Sequence, residues 1–334
     1  MPSSLRNLTV QTLKVALAAG LLYYLFSSGR VNLESLKTLL TPPVLIAGLA
    51  TVGVVLYFAS ERWRMLLKQQ GLPCTRGQAY RLTLIGTFFN FFVPGGVGGD
   101  VVKAILIAQN HPEQRGKAVL TVLADRILGL FTMSVLALVA FSFEPALLTR
   151  EKSFQVIFIG LLVITLGFVV AFWLLLSAKA DRLRAAVENI LKRVPKLHKL
   201  WLFAQTYRLS WKQLLGLASL SFGAQLTQVL LFIVVATAQT ETVPELSVFL
   251  FAVPVGFMVT AVPIAPAGIG IGQAAFFYLF TKAIGSESDL GVLGITAFQA
   301  FQLCFGLIGA VFFVLLKRQN PKLNLDDPEP TPRA

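Results

Sequence analysis

The sequence predicts an all-α, polytopic membrane protein with about six full transmembrane helices and two re-entrant broken-helix hairpins in an inverted repeat. Three observations predict this class. Hydrophobic residues make up 55% and charged residues only 13% of the 334 residues, whereas soluble domains are about 25% charged. Apolar runs long enough to cross a bilayer recur along the chain. A short Pro–x–Gly motif interrupts two further apolar regions.

Six uninterrupted apolar runs fit a hydrocarbon core of about 30 Å. No convincing small-residue cleavage site follows the first run, so we expect a membrane span there and not a cleaved signal peptide. The six predicted spans are Leu8–Phe26, Val44–Ser60, Val119–Phe143, Phe154–Ser177, Leu214–Ala238 and Gly291–Leu316.

Two further apolar regions are interrupted. The first, Leu82–Ala108, is broken at Pro94–Gly99, and its halves of about 13 residues are too short to cross the core, which predicts a re-entrant hairpin. The second, Val248–Ile284, is broken at Pro263–Gly272 and is longer, so two true spans are an open alternative there. We favour hairpins for both regions because the charges of the loops then agree with one topology.

The formal net charge of +13 comes from basic residues in short loops between apolar runs. With the N-terminus inside, about 24 of the 29 Lys and Arg residues lie inside or at the inner boundary, as the positive-inside rule requires. This pattern predicts a multi-pass protein of the bacterial cytoplasmic (inner) membrane with both termini cytoplasmic. It favours an anionic leaflet over nucleic acid as the partner of the basic residues.

Two polar segments flank or interrupt the membrane domain, which we assign to residues 1–318. The basic segment 178–212 contains the periodic stretch "DRLRAAVENILKRV", which predicts an amphipathic helix on the inner membrane surface. A solvated linker helix is the alternative interpretation. The tail 319–334 is acidic and Pro-rich, a composition typical of disorder.

The motif that interrupts the apolar regions reads "PGGVG" at Pro94–Gly98 and "PAGIG" at Pro266–Gly270. Proline ends a helix, and glycine permits positive φ and close backbone approach. A half-helix that restarts after the glycines presents free N–H groups, which suit an anion such as a lipid phosphate. The predicted topology brings the two motifs in from opposite sides, as in an inverted repeat. Tight helix packing at the glycines is the structural alternative.

Three stretches, "NFFVPGGVGGDVVKA", "ADRILGL" and "PIAPAGIGIGQAAF", resemble the lysylphosphatidylglycerol synthase transmembrane-domain family of flippase-like proteins. The resemblance extends over most of the chain, roughly from Leu8 to Lys317, and implies movement of a lipid or lipid-linked headgroup across the membrane. The second motif of the family commonly ends in an acidic residue, where this chain has Gln273. A mechanism that needs one carboxylate in each repeat therefore does not carry over.

No catalytic chemistry is expected. The synthase carries a soluble catalytic domain after its membrane part, whereas only a short tail follows here, so aminoacyl transfer to lipid is not expected. The sequence has two Cys and two His residues and shows no metal-ligand cluster, P-loop or nucleophile elbow. We therefore expect neither an enzyme nor a cofactor.

Charged residues close to hydrocarbon usually face a cavity or a partner. Asp100 follows the first break, and Lys103 lies one helical turn further on, where the two can pair. One interpretation is that Asp100 caps the restarting half-helix; the other is that the pair lines a polar route for a headgroup. Arg126 is a second candidate partner for Asp100, while an interfacial anchor is the alternative for Asp125 and Arg126.

Amide side chains recur inside the apolar regions. Asn90 precedes the first break by one turn and is expected to bond backbone groups that the break frees. The glutamine pairs in the last two uninterrupted spans have i, i+3 spacing and either bind headgroups or join helices. The segment Glu61–Arg64 reads as an interfacial anchor.

We predict translocation or presentation of an anionic lipid or a polyprenyl-linked lipid. The alternatives are a secondary transporter of a small anion and a non-transporting accessory subunit of a lipid or glycolipid synthesis enzyme. The expected partners are membrane lipids and, for the accessory alternative, that enzyme. The candidate substrate-binding residues are Asn90, Pro94, Gly95, Gly96, Gly98, Gly99, Asp100, Lys103, Asp125, Arg126, Gln225, Gln228, Pro266, Gly268, Gly270, Gln273, Gln299 and Gln302.

Overall fold

The computed structural model describes residues 37, 40–92, 98–109, 112–177, 181–206, 210–262 and 265–319. Within these ranges every regular element is helical and no strand occurs, so the all-α prediction is confirmed. The predictions for Leu8–Phe26, for Pro94, Gly95 and Gly96, and for the tail after residue 319 concern residues outside these ranges.

Twelve α-helices occur in the described part of the chain. Short 3₁₀ turns at Pro112–Gln114 and Pro266–Gly268 lie between some of them. In chain order the helices are α1 Pro42–Gln69, α2 Arg76–Phe92, α3 Gly98–Gln109, α4 Arg115–Phe143, α5 Leu147–Arg150, α6 Lys152–Leu176, α7 Asp181–Leu191, α8 Pro195–Ala204, α9 Trp211–Gln239, α10 Leu246–Thr260, α11 Ile271–Ile284 and α12 Leu290–Gln319.

The ends of the helices follow local sequence signals. Pro42 and Pro43 occupy the first positions of α1, where proline removes no helical hydrogen bond. Helix α9 begins after Ser210, whose side chain accepts a hydrogen bond from the Gln213 N–H in a capping box. Helix α11 ends at Gly285, whose φ of 85° is a left-handed conformation that favours glycine.

Six segments of the described chain are long and apolar enough to span a membrane. Five of them, α1, α4, α6, α9 and α12, coincide with the predicted spans that fall within the described residues, although α6 ends at Leu176, one residue before the predicted end. The sixth is Pro266–Ile284, the second half of the second interrupted region. The fold is therefore that of an all-α, multi-pass membrane protein.

The first interrupted region forms an antiparallel helical hairpin, α2 and α3. Asn90 near the end of α2 bonds Gly99 near the start of α3, whereas Leu82 packs against the cluster that contains Leu106 near the end of α3. The two helices are about 26 Å and 18 Å long at 1.5 Å per residue, less than the core thickness. The open end of the hairpin packs with the end of α1 and the start of α4, at a cluster that includes Leu72 and Ala118.

The second interrupted region forms another antiparallel hairpin, α10 and α11. Gly256 lies against the ring of Phe276, and the rings of Phe249 and Phe280 are 5.5 Å apart. Arg150, at the junction of α4 and α6, donates to the backbone oxygen of Ala283 at the end of α11. The open end of this hairpin is therefore at the far end of α4, opposite to the first hairpin.

The turn of the second hairpin contacts the first hairpin inside the bundle. The turn Pro266–Gly268 contacts α2, and its Ala267 carbonyl accepts a hydrogen bond from Gln299 of α12, at 3.1 Å. Helix α12 runs antiparallel to α2, with Gly309 at Leu84 and Gly306 at Phe88. Two hairpins that open to opposite ends and contact each other inside the bundle are the arrangement expected of the predicted inverted pair.

The basic segment contains two helices where the sequence predicted one. Helix α7 forms within the predicted stretch, and α8 follows it. Val187 and Leu191 pack near Leu174 and Trp201, while the other apolar residues of this stretch, Leu183, Ile190 and Val194, are exposed. The predicted placement of α7 on a membrane surface stays a prediction.

Candidate functional site

The first break is closed by a side-chain amide. The Gly99 N–H donates to Asn90 Oδ1 at 2.9 Å, as the sequence predicted for Asn90. A Cβ at Gly99 would overlap the backbone of Gly86, so only glycine permits α2 and α3 to approach this closely. The first N–H groups of α3, after Gly98, have no intrahelical acceptor, and a helix start of this kind attracts anions.

Asp100, in the first turn of α3, forms an ion pair with Arg126 of α4. Its Oδ2 accepts from Arg126 Nε, and its Oδ1 lies 3.9 Å from Lys103 Nζ. The pair is partly accessible, because the side chains of Asp100 and Arg126 are 20% and 32% exposed. Both pairings that the sequence suggested for Asp100 are therefore present, and the stronger contact is with Arg126.

Lys103 is buried between three helices. Its ammonium lies 4.4 Å from the centre of the Trp63 ring, within the range of a cation–π interaction, and its methylenes lie along Gly86 of α2. The indole Nε1 of Trp63 donates to Thr121 Oγ1 at 3.3 Å, which fixes the ring. The environment of Lys103 thus has an aromatic face and one distant carboxylate.

Asp125 faces away from Arg126 and binds a different helix. Arg62 of α1 donates from Nε and Nη2 to the two oxygens of Asp125, at 2.7 Å and 3.1 Å. Its Nη1 donates to Ser221 Oγ of α9 at 3.2 Å. Adjacent helix positions are about 100° apart because a turn holds 3.6 residues, so Asp125 and Arg126 join two separate ion pairs.

The segment Glu61–Arg64 was predicted to anchor at an interface, and this interpretation is wrong. Glu61, Arg62 and Trp63 are buried within the bundle. Arg64 and Glu61 form a bidentate pair with distances of 2.6 Å and 2.7 Å. The sequence reading missed Arg62, Trp63 and Ser221 because their partners are far along the chain.

The charged cluster around the first break, Arg62, Asp100, Lys103, Asp125 and Arg126, contains three basic and two acidic residues. The bidentate Arg62–Asp125 pair is balanced, while Asp100 is shared between Arg126 and Lys103. One carboxylate between two cations, at the start of a half-helix, suits a phosphate-like anion that makes bidentate contacts with arginine.

The second break is closed in a corresponding way. Gln273 Oε1 accepts from the Gly270 N–H at 2.7 Å, and Gln273 Nε2 donates to Gln299 Oε1 at 2.7 Å. The turn needs unusual backbone angles, with φ of 71° at Gly268 and 48° at Ala267. Gln273 and Gln299 are thus engaged in holding this turn, and in the described part of each break the closing hydrogen bond comes from a side-chain amide.

The remaining glutamines lie elsewhere in the bundle. Gln225 and Gln228 are buried on α9, and their Oε1 atoms have no hydrogen-bond partner among the described residues. Gln302 is half-buried on α12. The structure therefore groups Asn90, Gly98, Gly99, Asp100, Lys103 and Arg126 at the first break and Pro266, Gly268, Gly270, Gln273 and Gln299 at the second. The binding roles predicted for all these residues stay predictions.

The fold and the two breaks define a multi-pass helical membrane protein with paired, oppositely directed hairpins and a basic cluster at one of them. The family described as "Lysylphosphatidylglycerol synthase TM region" matches residues 11–310. The chain belongs to this family, as the sequence resemblance predicted, and the family connects it with membrane lipids. Neither a curated protein nor a solved structure matches the chain.

Proposed function

We propose that this protein translocates an anionic lipid, either a phospholipid or a polyprenyl-linked lipid, across the cytoplasmic membrane. The proposal rests mainly on the partly exposed Asp100–Arg126 pair at the start of α3. Membership of a family connected with membrane lipids supports a lipid over a soluble solute. In this proposal both hairpins are re-entrant, and each gives access to the site from one side of the membrane.

In the proposed mechanism, a lipid phosphate competes with Asp100 for Arg126. The phosphate gains bidentate contacts with the guanidinium and the positive end of α3. Asp100 stays close enough to retake Arg126, so the phosphate leaves without a large barrier. Lys103 adds positive charge from its buried position beside Trp63. The protein's own groups bind and release, and no bond in the lipid is made or broken.

The test is leaflet exchange of labelled lipids in liposomes that contain the purified protein. Asp100→Asn keeps the size of the side chain but removes the competing charge. Because a charge-assisted hydrogen bond is worth about 1.5–3 kcal/mol, we expect lipid exchange to slow by about tenfold or more. Asp181→Asn on α7 is the matched control, since the side chain of Asp181 is 81% exposed, and it should exchange lipid as the parent does.

Three outcomes would contradict the proposal. If Asp100→Asn exchanges lipid as fast as the parent, Asp100 is a structural cap. If the parent exchanges no lipid but takes up inorganic phosphate, the protein is a small-anion transporter. Lipid binding without exchange or uptake would instead support the accessory-subunit alternative.

A further inference from the structure

A groove lies between α2 and α12, outside the charged cluster. Its volume is about 560 Å³, within the range of small-molecule sites. Each helix contributes a stripe of residues with i, i+3 or i, i+4 spacing, and five of the seven lining residues are glycine or apolar. The lining residues are Gly77, Tyr80, Arg81, Leu84, Phe305, Ile308 and Phe312.

The groove lies beside a close contact between the two helices. At Gly309 an added Cβ would overlap the Leu84 carbonyl, whereas an added Cβ at Gly77 would have no neighbour within 4 Å. Gly309 therefore lets α12 approach the backbone of α2, and Gly77 leaves open space in the lining of the groove.

The groove opens onto the lipid-facing side of the bundle. Ile308 in its wall is 48% exposed, and Leu307, Val311 and Leu315 extend an exposed apolar surface along α12. In a membrane such a surface is covered by acyl chains, so the occupant of the groove comes from the bilayer.

One end of the groove is basic. Arg81 is exposed and has no carboxylate within 4.0 Å in the part of the chain that the structure describes. Glu61, on the neighbouring helix, already pairs with Arg64 and Arg76. Among the described residues, the Arg81 guanidinium thus has no carboxylate partner, and it lies beside an apolar groove.

We propose that this groove holds one anionic phospholipid, with its phosphate at Arg81 and an acyl chain along Leu84, Phe305 and Ile308. Tyr80 supplies the second polar group of the lining. The inference rests on the proposed function, for which the groove is a lateral loading site on the first hairpin. A chain seated here lies along α2, the same helix that carries Asn90 at the break.

The experiment uses the full-length protein in nanodiscs of phosphatidylcholine that contain a minor fraction of phosphatidylglycerol. Either lipid carries a photoactivatable group in its acyl chain, and labelled peptides are identified by mass spectrometry. The parent should crosslink phosphatidylglycerol preferentially, on peptides from α2 and α12. Arg81→Gln should lower the phosphatidylglycerol preference about fivefold, the effect of one basic residue at an anionic membrane surface.

A pair of matched variants tests the apolar part. Ile308→Trp fills the groove and should abolish labelling by both lipids at α2. Val311→Trp adds the same bulk on the exposed face of α12 outside the groove and should label like the parent. An Arg81→Gln variant with the parent's preference, or a Val311→Trp variant as impaired as Ile308→Trp, overturns the inference.

Leaflet exchange separates this inference from the proposed function. Asp100-dependent exchange together with no preferential labelling of α2 and α12 overturns the groove and leaves the transport proposal intact. The converse result is preferential labelling of the groove while Asp100→Asn exchanges lipid as fast as the parent. This result overturns the transport proposal and leaves the groove as a lipid-binding site.

Discussion

Removing either partner of the buried Arg62–Asp125 pair should destabilise the protein strongly, whereas replacing both partners with apolar residues should not. Arg62→Met removes the guanidinium and keeps a long apolar chain. Asp125 then retains a charge inside the bundle with both of its hydrogen-bond donors lost, and Ser221 loses the Arg62 Nη1 contact. The prediction concerns the free energy of unfolding of the purified protein in mild detergent.

The expected magnitude follows from burial. The side chains of Arg62 and Asp125 are only 9% and 11% exposed, so solvent screening is small. Removing one partner of a buried pair typically costs about 3–5 kcal/mol, because the other charge is left without compensation. Replacing both partners with apolar residues of similar volume is often close to neutral. The double variant Arg62→Met with Asp125→Leu should therefore recover most of the loss in the single variant.

The assay is reversible unfolding by denaturing detergent, followed by tryptophan fluorescence, for the parent, both single variants and the double variant. The cycle of four proteins isolates the coupling between the two positions. Single variants within about 1 kcal/mol of the parent, the median worth of an exposed pair, would show that the pair is solvated. A double variant as unstable as Arg62→Met would show that the guanidinium matters through contacts other than Asp125.

Three further predictions concern the first break, the loop before it and the topology. Asn90→Ala leaves the Gly99 N–H without its acceptor and should lower the free energy of unfolding by about 1–3 kcal/mol. Asn90→Asp keeps an acceptor oxygen and should retain most of the stability of the parent. Equal losses of stability in the two variants would contradict the role of this hydrogen bond. Burial raises the pKa of the Cys74 thiol, while Arg64 opposes the shift less strongly. Alkylation of Cys74 should thus rise with pH at values above those of an ordinary cysteine, measured in Cys304→Ala; a midpoint near 8.5 refutes this. A reporter fused after Ala238 should lie on the periplasmic face, and a cytoplasmic signal there would refute the predicted orientation.

Hydropathy alone could predict most of the helices, since the predicted spans within the described residues coincide with long helices. A predicted span ended too early where its helix continues through charged residues. Helix α1 extends to Gln69, beyond the predicted end at Ser60. Membrane-span rules treat charge as the end of a span, but here Arg62 pairs with the buried Asp125 and Glu61 pairs with Arg64, so the helix continues through these charges.

The candidate site was predictable in part. The Pro–Gly motif and the Asp100–Lys103 spacing depend on local geometry, and the pairing of Asp100 with Lys103 follows from it. The pairing with Arg126, 26 positions away, was suggested by the predicted position of Arg126 near the inner boundary. The role of Asn90 was also foreseeable, because a broken helix frees N–H groups. Arg62 was not identified, since its partner lies 63 positions away. A signal did exist, because the predicted topology places Arg62 and Asp125 near the same end of neighbouring helices.

Helix α12 touches both hairpins, and this limits how the molecule can move. Gly306 and Gly309 seat it against the backbone of α2, while Gln299 holds the turn at Ala267. A rigid displacement of α12 along its axis would disturb both contacts together, since a helix transmits axial movement over its whole length. The glycine contacts hold α12 close to the backbone of α2, and the Gln299 bond fixes its register against the turn of the second hairpin. The two hairpins are therefore mechanically linked, and opening one without adjusting the other would require α12 to bend.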